Sequence, residues 1–190
     1  MGVPFFDIHY NLDEGVRARI LKRWQAILEH GRFVNGPEIE ELEVALAEFL
    51  GVPHVVGCSN GSDSLVLALR AAGVKPCDEV IVPAFTFFAS AGSVSRIGCT
   101  PVFADIDPET FLVSPESAAS LVTERTTAVM PVHLYGRPVD VGALRAAVEK
   151  AAGRPIAIVE DAAQAVGAVQ ADGPCGGLGE TAGFSCFPTK

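Results

Sequence analysis

The sequence predicts an α/β fold: a mostly parallel sheet flanked by helices. Three observations carry this. Short apolar runs rich in β-branched residues recur along the chain, and segments of helical periodicity separate the earlier ones. Such alternation is the pattern of parallel strands joined by crossover helices. The runs are apolar at successive positions, as in strands covered on both faces. Finally, 49% of the residues are hydrophobic and only 19% are charged, a balance that favours a packed core and opposes disorder. A chain of 190 residues buries roughly 70% of the surface its unfolded form exposes, so one real core is within reach.

The elements follow in order. Asn11 opens "NLDE", a capping box with Glu14, ahead of a helix from Leu12 to His30. Val16, Ile20, Trp24, Ile27 and Leu28 recur there at helical spacing, and Gly31 can end it. Gly36-Pro37 opens a second helix with proline in its first turn, striped by Ile39, Leu42, Leu46 and Phe49. Glu38, Glu40, Glu41 and Glu43 form a solvated face near its positive end. Strands are then expected at "HVVGC" (54–58), "EVIVP" (79–83), "PVFAD" (101–105), "AVMPVHL" (128–134), "IAIVE" (156–160) and "AGFSCF" (182–187). Helices are expected near 62–73, 86–97, 114–122 and 138–151. The organisation is read as an N-terminal helical segment (1–35) and a ligand-binding α/β domain (36–190), with no internal repeat and no low-complexity linker.

Several function classes are disfavoured. The net charge is −9 and the basic residues are scattered, so no footprint for nucleic acid is visible. No apolar run reaches the ~18 residues that cross a bilayer, and the N-terminus lacks the basic-then-apolar order of a secretory signal. Five cysteines (Cys58, Cys77, Cys99, Cys175, Cys186) are irregularly spaced with no CxxC. That argues for reduced thiols in a cytoplasmic protein, without a disulfide scaffold or a metal centre. There is no GxGxxG and no GxxxxGK[ST], which weakens dinucleotide and P-loop readings.

In parallel sheets ligands gather at the carboxyl ends of the strands, so the residues just past each run are the candidates. After the first run, Ser59-Asn60-Gly61 turn into a helix near Ser62, whose free N–H groups suit a phosphate; alone this is also an ordinary N-cap. After the second, Phe85, Phe87 and Phe88 stand where a flat ring could be stacked, though each is also a plausible core residue. After the fifth come Glu160 and Asp161. Asp161 can cap a turn or place a fixed anion beneath a cationic nitrogen, with Gln164 three residues on. His133 is taken as structural. After the sixth, Ser185 offers a hydroxyl to an anion, and Lys190 lies past the strand. Together these are the parts that hold pyridoxal 5′-phosphate (PLP): an anion site, a stacking ring, a carboxylate for the ring nitrogen and an amine for the aldehyde.

The chain also resembles a known family, the PLP-dependent nucleotide-sugar aminotransferases of fold type I, often called the DegT family. The resemblance rests on "FVNGPEIEELE", "SNGSDSLVLALRA", "DEVIVPAFTFFASAGSV", "GCTPVFADIDPETF", "TTAVMPVHLYGRPVD", "VEDAAQAVGA" and "GFSCFPTK", in that order and over nearly the whole chain. It implies that Lys190 is the catalytic lysine that bonds to the cofactor. It implies that Asp161 partners the pyridine nitrogen, Gln164 lies near the ring oxygen and Phe87 stacks on the ring. Gly61, Ser62 and Asp63, helped by Ser185, would hold the phosphate. Some members carry histidine in place of the lysine and act as sugar dehydratases; a lysine here implies transamination.

The implied reaction moves an amino group from glutamate or glutamine to a keto-sugar, most simply a nucleotide-linked keto-hexose. Alternatives are a ketocyclitol aminotransferase of aminoglycoside synthesis and a non-catalytic regulatory or sensor protein that keeps the fold. Family members are about twice as long and homodimeric. The resemblance therefore implies that the rest of the large domain and a small C-terminal domain lie outside these 190 residues, and that the isolated chain does not turn over.

Overall fold

Every pairing in the main sheet is parallel, and its strand order is what creates a binding crevice. The structure is a computed structural model that describes residues 12–188 and Lys190. Contacts cluster in two compact units: one ends at Gly57 and also takes in Phe187, and the other holds Cys58–Cys186 with Lys190.

The first unit is helical. Helix α1 spans Glu14–His30 and α2 spans Pro37–Leu50. Asp13 caps α1 by accepting from the Val16 N–H at 2.7 Å, so the cap is Asp13; Asn11, where the sequence places it, lies outside the described residues. Gly31 and Gly51 close the two helices in the left-handed conformation that glycine tolerates best. Arg23 pairs with Glu41, and His30 with Glu38 at 3.1 Å, tying the helices together. No residue of α1 is buried, and Trp24 is 61% exposed, so its apolar stripe lies open. The run 54–58 is not a strand. No strand among the described residues pairs with it, Val56 is exposed, and the Gly57 N–H is instead donated to Glu43 at 2.6 Å.

The second unit is a three-layer α/β/α sandwich. Its elements are α3 (Gly61–Ala71), β1 (Glu79–Pro83), α4 (Phe88–Arg96), β2 (Thr100–Ala104), α5 (Pro115–Ser120), β3 (Thr126–Val129), α6 (Val141–Ala152), β4 (Ala157–Asp161) and β7 (Thr181–Gly183). A small antiparallel pair, β5 (Val169–Gln170) and β6 (Gly173–Pro174), sits between the last two. The sheet order is β2-β1-β3-β4-β7. The chain therefore moves one way from β1 to β2 and the other way to β3, which makes a switch point beside β1. In open parallel sheets ligands bind outside the carboxyl ends at such a point.

Alternate residues of the strands feed two cores, because successive side chains point to opposite faces. Val80, Val82, Ala128, Met130 and Val159 pack under α3 and α4, with Leu65, Leu69 and Val94. Ile81, Val129 and Ile158 pack under α5 and α6, with Ala118, Leu144 and Val148. Two strand boundaries differ from expectation. Regular pairing of the third run stops at Val129, near Pro131, which has no N–H to donate, and only a bridge from Val132 to Asp161 continues it. The last strand is shorter than "AGFSCF" and ends at Gly183, so residues 184–187 leave the sheet.

Gly176 is one place where the packing requires glycine. Gly176 has φ +91°, and a Cβ there would lie 2.1 Å from the Phe184 ring. Gly153 also has positive φ but open space around it. Gly176→Ala is therefore expected to cost about 2–4 kcal/mol, clearly more than the backbone penalty alone at Gly153→Ala. Urea melts of the two variants check this; equal losses would refute the packing argument.

Candidate active site

The end of β4 carries two adjacent carboxylates that point to opposite faces of the sheet. Glu160 is fully buried. His133 bonds one oxygen at 2.9 Å, and the N–H groups of Gly176, Leu178 and Gly179 donate to the carboxylate at 2.8, 2.8 and 2.7 Å. The Val139 N–H donates to His133 Nδ1 at 3.0 Å, so the ring proton sits on Nε2 and is given to Glu160. His133 is thus a neutral structural bond. Burial pushes the Glu160 carboxyl up, but the bonds from His133 and the three backbone groups more than offset it and hold it below its ordinary value. Burial, then the Glu160 charge, raises the neighbouring Cys175 thiol to about 11, so this cysteine is an inert packing group.

Asp161 is the last residue of β4 and only 5% exposed. Its backbone is pinned from both sides: its N–H donates to Pro131, its carbonyl accepts from His133, and the next N–H, of Ala162, donates to Gly183. Its side chain accepts from the Ser90 hydroxyl at 2.7 Å and from the Ala163 N–H at 3.2 Å. Burial pushes this carboxyl above its ordinary value, and the Ser90 bond, the Ala163 N–H and the Lys190 charge pull the other way. An ionised carboxylate has about four acceptor sites, and two of these remain open. Ser90, held in turn by Thr86 at 2.9 Å, was not a sequence candidate. The signal in the sequence was a polar pair, Thr86 and Ser90, in "TFFAS", where the chain passes from β1 into the following helix.

The start of α3 lies against the exit of β7. A Cβ on Gly61 would stand 2.9 Å from the Ser185 Cβ, and the Ser64 hydroxyl bonds the carbonyls of both Gly61 and Phe184. So Gly61, Ser62 and Ser185 are brought together, and glycine is needed for the approach. Among the described residues, the Gly61 and Ser62 N–H groups serve no hydrogen bond. Asp63 is occupied differently. Its N–H donates to the Asn60 cap at 2.9 Å, and its carboxylate takes bonds from Ser59, Asn60 and Arg96. The Ser59 hydroxyl and Arg96 hold it below its ordinary value.

The three phenylalanines after β1 separate cleanly. Phe85 pairs with Phe111 at 5.6 Å, and Phe88 packs over Gly92. Phe87 is 71% exposed, and the Lys190 amine stands 6.0 Å from its ring centre. Gln164 lies in the turn after β4, and its side-chain oxygen accepts the Tyr135 N–H at 2.9 Å, leaving its amide N–H groups for another partner. Asp161, Lys190 and Phe87 therefore meet at the sheet edge, and Gly61, Ser62 and Ser185 meet at the head of α3. Among the described residues there is no cluster of His, Cys, Asp and Glu that could hold a metal ion.

The model of the DegT/DnrJ/EryC1/StrS aminotransferase family matches residues 15–190. The chain belongs to this family. It is 45% identical to the "Pleiotropic regulatory protein" of Geobacillus stearothermophilus, over 100% of this chain and 50% of that protein. It is 39% identical to the UDP-2-acetamido-2-deoxy-3-oxo-D-glucuronate aminotransferase of Pseudomonas aeruginosa, over 99% and 51%. Among solved structures it superposes on S. venezuelae DesV with a TM-score of 0.89 and 40% identity, covering 98% of this chain and 49% of that one. It superposes equally well (TM-score 0.89, 30% identity, 100% and 50% covered) on the PLP form of a Streptococcus pneumoniae protein assigned as a sugar aminotransferase. The chain spans about half the length of the curated relatives it matches. The expected α/β architecture with a mostly parallel sheet is the one observed in this family's structures.

The two carboxylates of β4 should respond oppositely to neutralisation. The folded pKa of Glu160 is lowered, so its contribution is present above the ordinary carboxylate value and lost as pH falls through the folded value. The folded pKa of Asp161 is raised, so its stability is complete at acid pH and declines as pH rises through the folded value. At neutral pH, Glu160→Gln is expected to lose about 3 kcal/mol, because buried donors lose their acceptor. Asp161→Asn should be no less stable than wild type there. Thermal melts at neutral and acid pH test both signs, and an Asp161→Asn variant as damaged as Glu160→Gln would contradict this division.

Proposed function

We propose that this chain is the cofactor-binding part of a PLP-dependent aminotransferase. It would move an amino group from glutamate or glutamine to a keto-sugar, most simply a nucleotide-linked keto-hexose. One observation carries the reading: a buried, doubly pinned carboxylate with open acceptor sites faces a lysine and an exposed aromatic ring at the carboxyl end of a parallel sheet. Such a carboxylate suits a cationic ring nitrogen, and the open N–H groups of Gly61 and Ser62 suit a phosphate at a fixed distance from it. The residues present fit PLP. The substrate class is supported by the family and by the name of the P. aeruginosa relative.

Bound PLP would supply an electron sink for charge that develops at the carbon beside the transferred nitrogen. The remaining work falls to the chain. Gly61 and Ser62, with the Ser185 hydroxyl, hold the phosphate. Asp63 acts one step back, fixing the turn through Ser59, Asn60 and Arg96. Phe87 covers one face of the ring and keeps water from it. Asp161 keeps a proton on the ring nitrogen, and Gln164 uses its free amide N–H beside the ring oxygen. Lys190 would be the amine that engages the cofactor's aldehyde, and once released would serve as general base and acid for the proton of the substrate. This arrangement predicts ping-pong kinetics.

We also propose that the working form is a cytoplasmic homodimer with neither nucleic acid nor membrane as partner. Five unpaired thiols and a net charge of −9 support the compartment and the absence of a polyanion. The open apolar stripe of α1, with Trp24 and Leu28 on it, is suited to a second copy.

A second reading has a specific observation behind it. The G. stearothermophilus relative is named as a regulatory protein, so a regulator that keeps this fold is the rival. The protein that contains this chain, loaded with PLP, should aminate one member of a panel of nucleotide-linked keto-sugars and ketocyclitols. Lys190→Ala should abolish the cofactor's lysine-bound absorption and lower kcat at least about 10³-fold. A Lys190→Ala protein that keeps its biological effect in cells, beside a wild type with no amination, would favour the regulator. Sedimentation should show a dimer that Trp24→Glu weakens at least 10-fold in Kd, about the loss of one buried aromatic contact.

A further inference from the structure

We propose that the Thr86 and Ser90 hydroxyls form a one-way relay that aims the Asp161 carboxylate and favours its charged form, making Ser90 a positioning residue for the contact to a cationic ring nitrogen. This deepens, and rests on, the PLP-site reading above.

The direction of the relay follows from proton counting. Ser90 is fully buried, and its hydroxyl carries one hydrogen. An ionised carboxylate only accepts, so that hydrogen goes to Asp161, at 2.7 Å. The Thr86 hydroxyl, 2.9 Å behind, must then donate to Ser90. A hydroxyl that accepts one hydrogen bond is the stronger donor in the next, and the low dielectric around Ser90 enhances this. Ser90 lies in the first turn of α4, its N–H bonded to the Phe87 carbonyl at 3.2 Å, and Thr86 lies in the bend just ahead of the Phe87 cap, so the start of the helix places both hydroxyls.

The surroundings make the relay necessary. Among the described residues no ion pair involves Asp161, although it is almost fully buried. The titratable groups that face it are Lys190 and His133. His133 is kept neutral by the Val139 N–H on its Nδ1, and Lys190 is the amine that the proposed chemistry commits to the aldehyde. When Lys190 is engaged, Ser90 and the Ala163 N–H are the donors left to hold the charge. A purely structural serine would have no need of a second hydroxyl behind it or of a carboxylate with two acceptor sites open.

The decisive measurement is the protonation of Asp161 in the cofactor-free protein, followed by carboxyl-carbon NMR against pH with Asp161→Asn as the assignment control. Ser90→Ala should move the Asp161 titration to higher pH by about one to two units, the worth of a hydrogen bond to a charged group. Ser90→Cys, a weaker donor of similar size, should fall between, and Thr86→Val should shift it in the same direction by less. With PLP added, Ser90→Ala should weaken binding at least 10-fold. A serine that only packs would lower the melting temperature and leave the Asp161 titration in place; that outcome, in Ser90→Ala or in Ser90→Cys, overturns the proposal. If wild type fails to bind PLP, the PLP reading fails, and the cofactor-free titration still decides the role of Ser90.

Discussion

A carboxylate with no exposed surface must find a partner for each lone pair, and Glu160 finds four donors on two separate segments. His133 comes from the connection after β3, while Gly176, Leu178 and Gly179 come from the turn ahead of β7. This single group therefore couples the end of β4 to the path the chain takes into β7. From β7 the chain runs past Gly183 to Ser185. The entry into β7 depends on that turn, and the turn is folded around an anion. Removing a partner from such a centre leaves buried polar groups without compensation, which is why it behaves as a keystone.

Asp161 is the opposite case made from the same chemistry one residue later. The pleat sends it to the other face of the sheet, under α4, where among the described residues it meets two donors and no paired cation. Burial opposes its charge there, whereas the four bonds to Glu160 overcome the same effect. A fold that tolerates such a group spends stability at that point, as binding sites commonly do. The contrast separates a carboxylate with every acceptor site used from one with acceptor sites open.

Much of this was legible in the sequence, and the parts that were not share a cause. Covered parallel strands are nearly uniform in hydropathy, so "EVIVP" and "IAIVE" announce themselves. The same pattern misleads at "HVVGC", because an apolar run becomes a strand only when another edge pairs with it, and pairing is not written locally. Residue types at strand ends identified Asp161, Lys190, Gly61 and Ser185 as candidates, and the fold brings them to one edge in two groups. Residue types could not rank Phe85, Phe87 and Phe88, since their difference lies in neighbours distant in sequence, Phe111 for one and Lys190 for another. Ser90 was invisible for a related reason: a serine in a helix is unremarkable until a carboxylate 71 residues away is known to touch it.

The head of α3 shows how far a local signal can be trusted. "SNGSD" reads equally as an N-cap and as an anion site; the structure shows the cap, and the proposed phosphate site lies beside it. Asn60 takes the N–H of Asp63, and the carboxylate of Asp63 is bound by Ser59, Asn60 and Arg96. Those bonds immobilise the Asp63 carboxylate and pair its charge with Arg96. Two N–H groups, of Gly61 and Ser62, are left beyond the cap, at the positive end of an 11-residue helix. Capping here does not compete with anion binding. By using the third N–H and fixing the acidic side chain, it leaves the Gly61 and Ser62 N–H groups at a set position on the positive end of the helix, with Ser185 packed close against Gly61, which is the geometry the proposed phosphate site would need.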